Sequence, residues 1–212
     1  MSEAVGVVSG VAGIAAEDIA QHPDFKPLYA LQGVAIDLRY ASRNNFVGKA
    51  VYGGLDCAWL RREAFDALQL AADWLRQHQP SWQMVVFDAL RPQRIQEALY
   101  AELADTPLAM YLAHPERGSI HSFGMAVDVG LLDAAGQELD MGAAFDEMDA
   151  ISHPEFEAEL LAQGRLTAVQ LSHRGWLRAA MRQAGFQGIA TEWWHFDLGD
   201  RVNVRRDLPR VL

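Results

Sequence analysis

The sequence has one cysteine, Cys57, in 212 residues. An intrachain disulfide is therefore excluded, and so is a thiolate metal cluster. Cys57 follows Asp56 near an apparent helix start and reads as a small structural apolar residue. Basic residues are scarce, with 18 Lys and Arg against 28 Asp and Glu, giving a formal charge of −10. Nucleic acid and anionic membrane surfaces are bound mainly through basic patches, so neither is an expected partner. No apolar run reaches about 18 residues, so no membrane-spanning helix is expected. The apolar N-terminus MSEAVGVVSGVAGIAAEDIA lacks the basic opening of a secretory signal, and the expectation is a cytoplasmic protein. Repeats, low-complexity tracts and long Gly/Pro/Ser linkers are missing too.

What is present suits a folded globule. Half the residues are apolar and 22% are charged, enough to bury a sizeable core without covalent staples. The length fits a single domain over residues 1–212, with 1–25 as a poorly defined N-terminal extension. In GVAIDLRYA, Val34, Ile36, Leu38 and Tyr40 alternate with Ala35, Asp37 and Arg39, the period of a half-buried strand. SRNNFVGKAVYGG reads as an irregular loop. From Ala58 to about His78 the spacing is helical, with Leu60, Ala64, Leu68, Ala71 and Leu75 on one stripe and Pro80 as the stop. WQMVVFDA is strand-like and ends at Asp88. Arg91-Pro92 opens a helix running to about Leu103. AVDVGLL is a third strand, followed by a turn and return in DAAGQELDMG. Residues 155–164 and 173–184 read as helices. ATEWWHFDL reads as the last strand, with a polar tail after it. Strands and helices mix without regular alternation, so the expected class is α+β, a small mostly antiparallel central sheet with helices packed on it.

Of seven histidines, His22, His78, His114, His153 and His173 have no company that suggests chemistry. His121 and His195 do. In SIHSFGMAVDVG, His121 is joined through Gly124 and Ala126 to Asp128 at a strand start. In TEWWHF, His195 follows Glu192 by three residues. Two imidazoles and a carboxylate suit zinc with a fourth position left for water, the arrangement of a catalytic site. Glu192 is then spare to accept a proton. A regular strand would turn Glu192 and His195 to opposite faces, so Glu192 must sit at a bend before it. On spacing alone, a hydrogen-bonded His–Asp pair beside core aromatics explains these residues equally well. FDALRPQ adds Arg91 just past a strand end, where it can support an oxyanion, with Asp88 placed to orient its guanidinium.

Together these segments resemble the D-alanyl-D-alanine dipeptidases, the VanX-type zinc peptidases, from about Asp37 to Phe196. DLRYASRNNFVGKAVYG is similar to the family's opening strand and loop, and FDALRP to its arginine segment. SIHSFGMAVDVGLLD fits Ser-x-His-x-x-Gly-x-Ala-x-Asp, the signature of the wider D-Ala-D-Ala metallopeptidase group. MGAAFDEMDAISH and EWWHF are similar as well. Met125 departs, standing where the family often has a smaller residue.

The resemblance implies a Hedgehog-like D-Ala-D-Ala metallopeptidase fold with the zinc site at the sheet. It implies one catalytic zinc per chain, held by His121, Asp128 and His195. Glu192 becomes the general base and then the acid, and Arg91 the stabiliser of the transition state. Asp146 receives the substrate's free ammonium, while Tyr40 and Ser119 line a small pocket. The implied reaction is hydrolysis of the dipeptide D-alanyl-D-alanine to two D-alanines, in cell-wall peptide metabolism or glycopeptide resistance. The implied partner is thus a small dipeptide, and a homo-oligomer is compatible with the sequence. The alternatives are a peptidoglycan D,D-carboxypeptidase or endopeptidase of the same group and a non-catalytic zinc-stabilised binding protein.

Overall fold

The computed structural model describes residues 12–212. Residues 1–11, on which the reading of a missing leader largely rests, lie outside the described residues. The centre is a five-stranded sheet in the order β2-β4-β5-β7-β6. Its strands are β2 (Val34–Ile36), β4 (Gln83–Asp88), β5 (Ala126–Leu132), β6 (Phe186–Gly188) and β7 (His195–Leu198). The β2/β4 pair is parallel and the other three pairs are antiparallel. A separate two-stranded ribbon joins β1 (Phe25–Pro27) to β3 (Trp59–Arg61). The class is α+β with a mostly antiparallel sheet, as expected.

The helices are α1 (Arg62–His78), α2 (Gln93–Leu103), α3 (Glu157–Ala162), α4 (Ala168–Gln183) and α5 (Arg201–Asp207). The α1 stripe of Ala64, Leu68, Ala71 and Leu75 is buried. It joins Met84, Val86, Val127, Val129, Leu177 and Met181 in the main core, where α1 packs on α4 and on β4. Each fully buried Leu or Val contributes about 1.5–3 kcal/mol by leaving water. A smaller cluster of Tyr40, Tyr52, Cys57, Ile95 and Leu99 seats the long loop after β2 on α2. Cys57 is buried within it, as its apolar reading required. Among the described residues no helix is long and apolar enough to cross a membrane.

Several elements differ from the sequence expectation, each for a local reason. The strand expected through Tyr40 stops at Ile36, and a 3₁₀ turn over Arg39–Ala41 follows. It is an edge strand held from one side only, and the turn carries Tyr40 into the second cluster. Helix α1 starts at Arg62 rather than Ala58, because Trp59–Arg61 pair with β1. Leu60 is buried from that strand instead of from the helical stripe. Helix α4 starts at Ala168 rather than 173, fixed by a reciprocal cap. The Thr167 hydroxyl accepts from the Gln170 N–H, and the Gln170 side chain accepts from the Thr167 N–H. The helix expected over 155–164 is reduced to α3 after a 3₁₀ turn. The polar tail holds α5, whose first N–H groups donate to the Asp200 carboxylate.

Candidate active site

The polar residues meet because of strand register. Asp88 lies opposite Asp128, and Asp128 lies opposite His195, so one row crosses β4, β5 and β7. An irregularity in register between Val86 and Asp88 re-aims the end of β4. His121 reaches the row from a 3₁₀ turn over Ile120–Phe123. The Ser119 hydroxyl caps that turn, accepting from the His121 N–H at 3.3 Å. Gly124 closes it with φ +67°, and a Cβ there would lie 2.6 Å from the Phe25 ring. Ala126, which follows at the start of β5, is fully buried.

His121 Nε2, His195 Nδ1 and Asp128 Oδ1 converge. The two nitrogens are 3.1 Å apart, and the carboxylate oxygen lies 3.0 Å from His195 and 3.3 Å from His121. The outer ring nitrogens fix the tautomers. His121 Nδ1 lies 2.7 Å from the Ala89 carbonyl, which can only accept, so this nitrogen carries hydrogen. His195 Nε2 likewise donates to Asp197 Oδ1 at 2.9 Å. In the neutral rings both inner nitrogens would present lone pairs, beside a carboxylate oxygen. Metal–ligand bonds of about 2.0–2.1 Å at tetrahedral angles set ligand atoms about 3.3 Å apart, so the trio fits a metal ion. Electrostatics agree that this position favours positive charge. Burial opposes ionisation of Asp128, yet His121 and His195 hold its pKa well below the usual carboxylate range. Burial also opposes a charge on His195, but Asp197 and Asp128 outweigh it and raise its pKa.

Glu192 lies in the irregular stretch before β7, the bend that the sequence required. Its Oε2 is 4.0 Å from His195 Nδ1. Burial pushes its carboxyl up to about 7, with Asp128 adding to the rise and His195 and Arg91 opposing it. That range suits a group that must take up and release protons near neutrality.

Arg91 is buried and tied down on three sides. Nε donates to Asp88 Oδ2 at 2.7 Å, Nη1 to Gln96 Oε1 at 3.1 Å and Nη2 to Asp128 Oδ2 at 3.3 Å. Its guanidinium stacks over the Tyr40 ring at 4.9 Å. Burial works against the charge, but Asp88, Tyr40 and Asp128 raise the arginine pKa further. Tyr52 donates to Asp88 in turn.

Asp146 adopts φ +62°, the only positive φ at a non-glycine residue among those described. One oxygen accepts from the Tyr40 hydroxyl at 3.0 Å, while Oδ2 is buried with no partner. Burial and nearby Asp128 hold its pKa well above the usual range. Tyr40, Arg91, Ser119, Asp146 and Glu192 line one cavity of about 310 Å³ together with the His/Asp/His trio.

The chain matches the family described as D-ala-D-ala dipeptidase (Peptidase_M15) over residues 25–211. It belongs to that family. A D-alanyl-D-alanine dipeptidase of Escherichia coli strain K12 is 38% identical over 163 residues, covering 77% of this chain and 78% of that protein. One from Synechocystis is 31% identical over 183 residues, covering 72% and 74%. One from Enterococcus faecium is 29% identical over 195 residues, covering 80% and 88%. Among solved structures, the D,D-dipeptidase VanXYg with a D-Ala-D-Ala phosphinate analog aligns at TM-score 0.40 and 23% identity, covering 66% of this chain and 50% of that one.

All nine residues singled out from the sequence of this family member gather here, eight in the cavity wall and Asp88 directly behind Arg91. Sequence reasoning missed four others. Asp197 orients His195, Gln96 and Tyr52 hold the Arg91–Asp88 pair, and Trp194 lines the cavity. A signal existed for Asp197, since residues i and i+2 of a strand share a face. Gln96 reaches the site from α2, and Tyr52 and Trp194 from irregular segments.

Proposed function

We propose that this chain is a zinc dipeptidase that hydrolyses free D-alanyl-D-alanine to two D-alanines. His121, Asp128 and His195 would hold the zinc, which supplies Lewis acidity toward a carbonyl oxygen and water. Glu192 takes a proton from the attacking water and delivers it to the leaving nitrogen as the C–N bond breaks. Arg91, fixed by Asp88 and Gln96, directs its remaining N–H toward the oxyanion that develops on the carbonyl. Asp146 and Tyr40 bind the substrate ammonium, and Ser119 lines the pocket beside His121.

The observation that carries this reading is the unpartnered Asp146 oxygen in the same cavity as the trio. A buried carboxylate with an open acceptor favours a substrate with a free amine and penalises one whose amine is acylated. Steady-state kinetics on D-Ala-D-Ala and N-acetyl-D-Ala-D-Ala test it. The free dipeptide should be cleaved with kcat/KM at least about 10²-fold higher. Comparable values would move the assignment to a carboxypeptidase acting on capped peptides. The reading also includes a cytoplasmic setting, checked by cell fractionation, and allows a homo-oligomer, checked by light scattering.

A further inference from the structure

The cavity has a basic end that this chemistry does not yet use. Arg117, Arg201 and Arg205 line it beside the catalytic set. Arg201 is engaged by the Asp197 carboxylate. Arg205 is half-buried and ordered by carbonyl groups alone, donating to Gly118 O at 3.2 Å and to Arg201 O at 3.3 Å. Among the described residues, no carboxylate lies within ion-pair distance of Arg205 or Arg117. Nearby Arg210 is occupied, stacked over Phe123 and donating to Arg117 O.

Like charges held close together repel, and an anion among them relieves that repulsion. Burial first, then Arg117 and Arg201, lower the Arg205 pKa, with Asp197 opposing them. The charges that bear most on Asp146 are instead Asp128, Arg91 and Glu192. The two groups thus share one cavity but have different neighbours. Arg205 is tied to Gly118, one residue before Ser119, so the basic end borders the His121 turn, while Asp146 is tied to Tyr40.

We propose that Arg205, assisted by Arg117, binds the C-terminal carboxylate of the dipeptide in this cavity. The assignment rests on the dipeptidase reading above and deepens it. A free dipeptide carries one charge of each sign, and the cavity then answers both. Asp146 reads the amino end and Arg205 the carboxyl end, so substrate length is measured between two charges.

The test uses the full, zinc-loaded chain with D-Ala-D-Ala and its C-terminal amide. The wild type should favour the free acid by about 10- to 100-fold in kcat/KM, the scale of a charge-assisted hydrogen bond. Arg205→Gln should lose most of that preference through KM, with kcat and the amide reaction nearly unchanged. Arg205→Lys should recover part of it, and Arg117→Gln should show a smaller loss. Matching melting temperatures confirm that the variants fold. Equal losses on acid and amide, or no loss on either, overturn the assignment while leaving the dipeptidase reading intact. If the wild type cleaves neither substrate, the dipeptidase reading fails separately. Calorimetry of the two peptides on the Glu192→Gln protein then decides the anion site. An acid-over-amide preference abolished by adding Arg205→Gln supports it, and its absence overturns it.

Discussion

Asp197 accepts a hydrogen bond from the outer nitrogen of His195, two residues back on the same strand, at 2.9 Å. The carboxylate fixes the ring's tautomer and strengthens the inner nitrogen as a donor of electrons. Removing such a partner typically weakens metal affinity about 10- to 100-fold. Asp197→Asn should do so while His195 itself is intact. A competition titration with a chromophoric chelator reads the change, and unaltered affinity would remove Asp197 from the site.

His121→Ala deletes one of three converging donor atoms. The purified variant should hold far less zinc than the wild type by elemental analysis. Wild-type protein should also melt at a lower temperature after chelation, since an ion that binds only the folded state stabilises it. Equal zinc content in the variant would rule out His121 as a ligand.

Glu192→Gln preserves the shape of the side chain and removes its ability to accept a proton. Zinc content should stay normal while kcat falls about 10²- to 10⁴-fold. Near-normal turnover would mean that another group moves the proton.

Arg91 is held by two carboxylates in the interior, so its loss bears on the fold. Arg91→Ala leaves Asp88 without its ion-pair partner in a buried setting, a change that typically costs about 3–5 kcal/mol. Urea denaturation should show that loss. Arg91→Lys keeps a charge but not the planar fork, and should fold better than the alanine variant with a reduced kcat. A stable, fully folded Arg91→Ala protein would show that the pair contributes little to the fold.

Gly124→Ala tests the turn that carries His121. The residue has φ +67°, and the added methyl would meet Phe25 at 2.6 Å. A cost of about 1–3 kcal/mol is expected from overpacking, together with weaker metal binding. An unchanged melting temperature would show that the β1 ribbon yields readily.

The sequence disclosed the site better than the fold. His121, Asp128 and His195 stood out as a possible donor set, but their spacing left a plain hydrogen-bonded pair equally open, and the family resemblance chose between the two. The bend at Glu192 followed from strand geometry alone, since residues three apart cannot share a strand face. What stayed hidden depends on contacts between distant segments. Trp59–Arg61 carry helical periodicity with the residues after them, and only pairing with Phe25–Pro27 makes them a strand. Arg39 looked like the polar side of an amphipathic strand, yet it is buried over the Phe87 ring and pairs with Glu138. The early start of α4 had a local signal in Thr167 and Gln170, which the apolar spacing alone did not reveal. Helix α5 is short and polar, so it has almost no periodic signal, and it supplies Arg205.

Val211 is fully buried, and its backbone joins two distant parts of the site. Its N–H donates to Ser122 O at 2.7 Å, within the His121 turn, and its carbonyl accepts from Gln93 N–H at 2.8 Å, where α2 begins beside Arg91. The flanking residues Arg210 and Leu212 bond to Ile14. The segment around Val211 is therefore a clasp: it holds the His121 turn against the start of α2, so a change near position 211 should be felt at residues far from it in sequence.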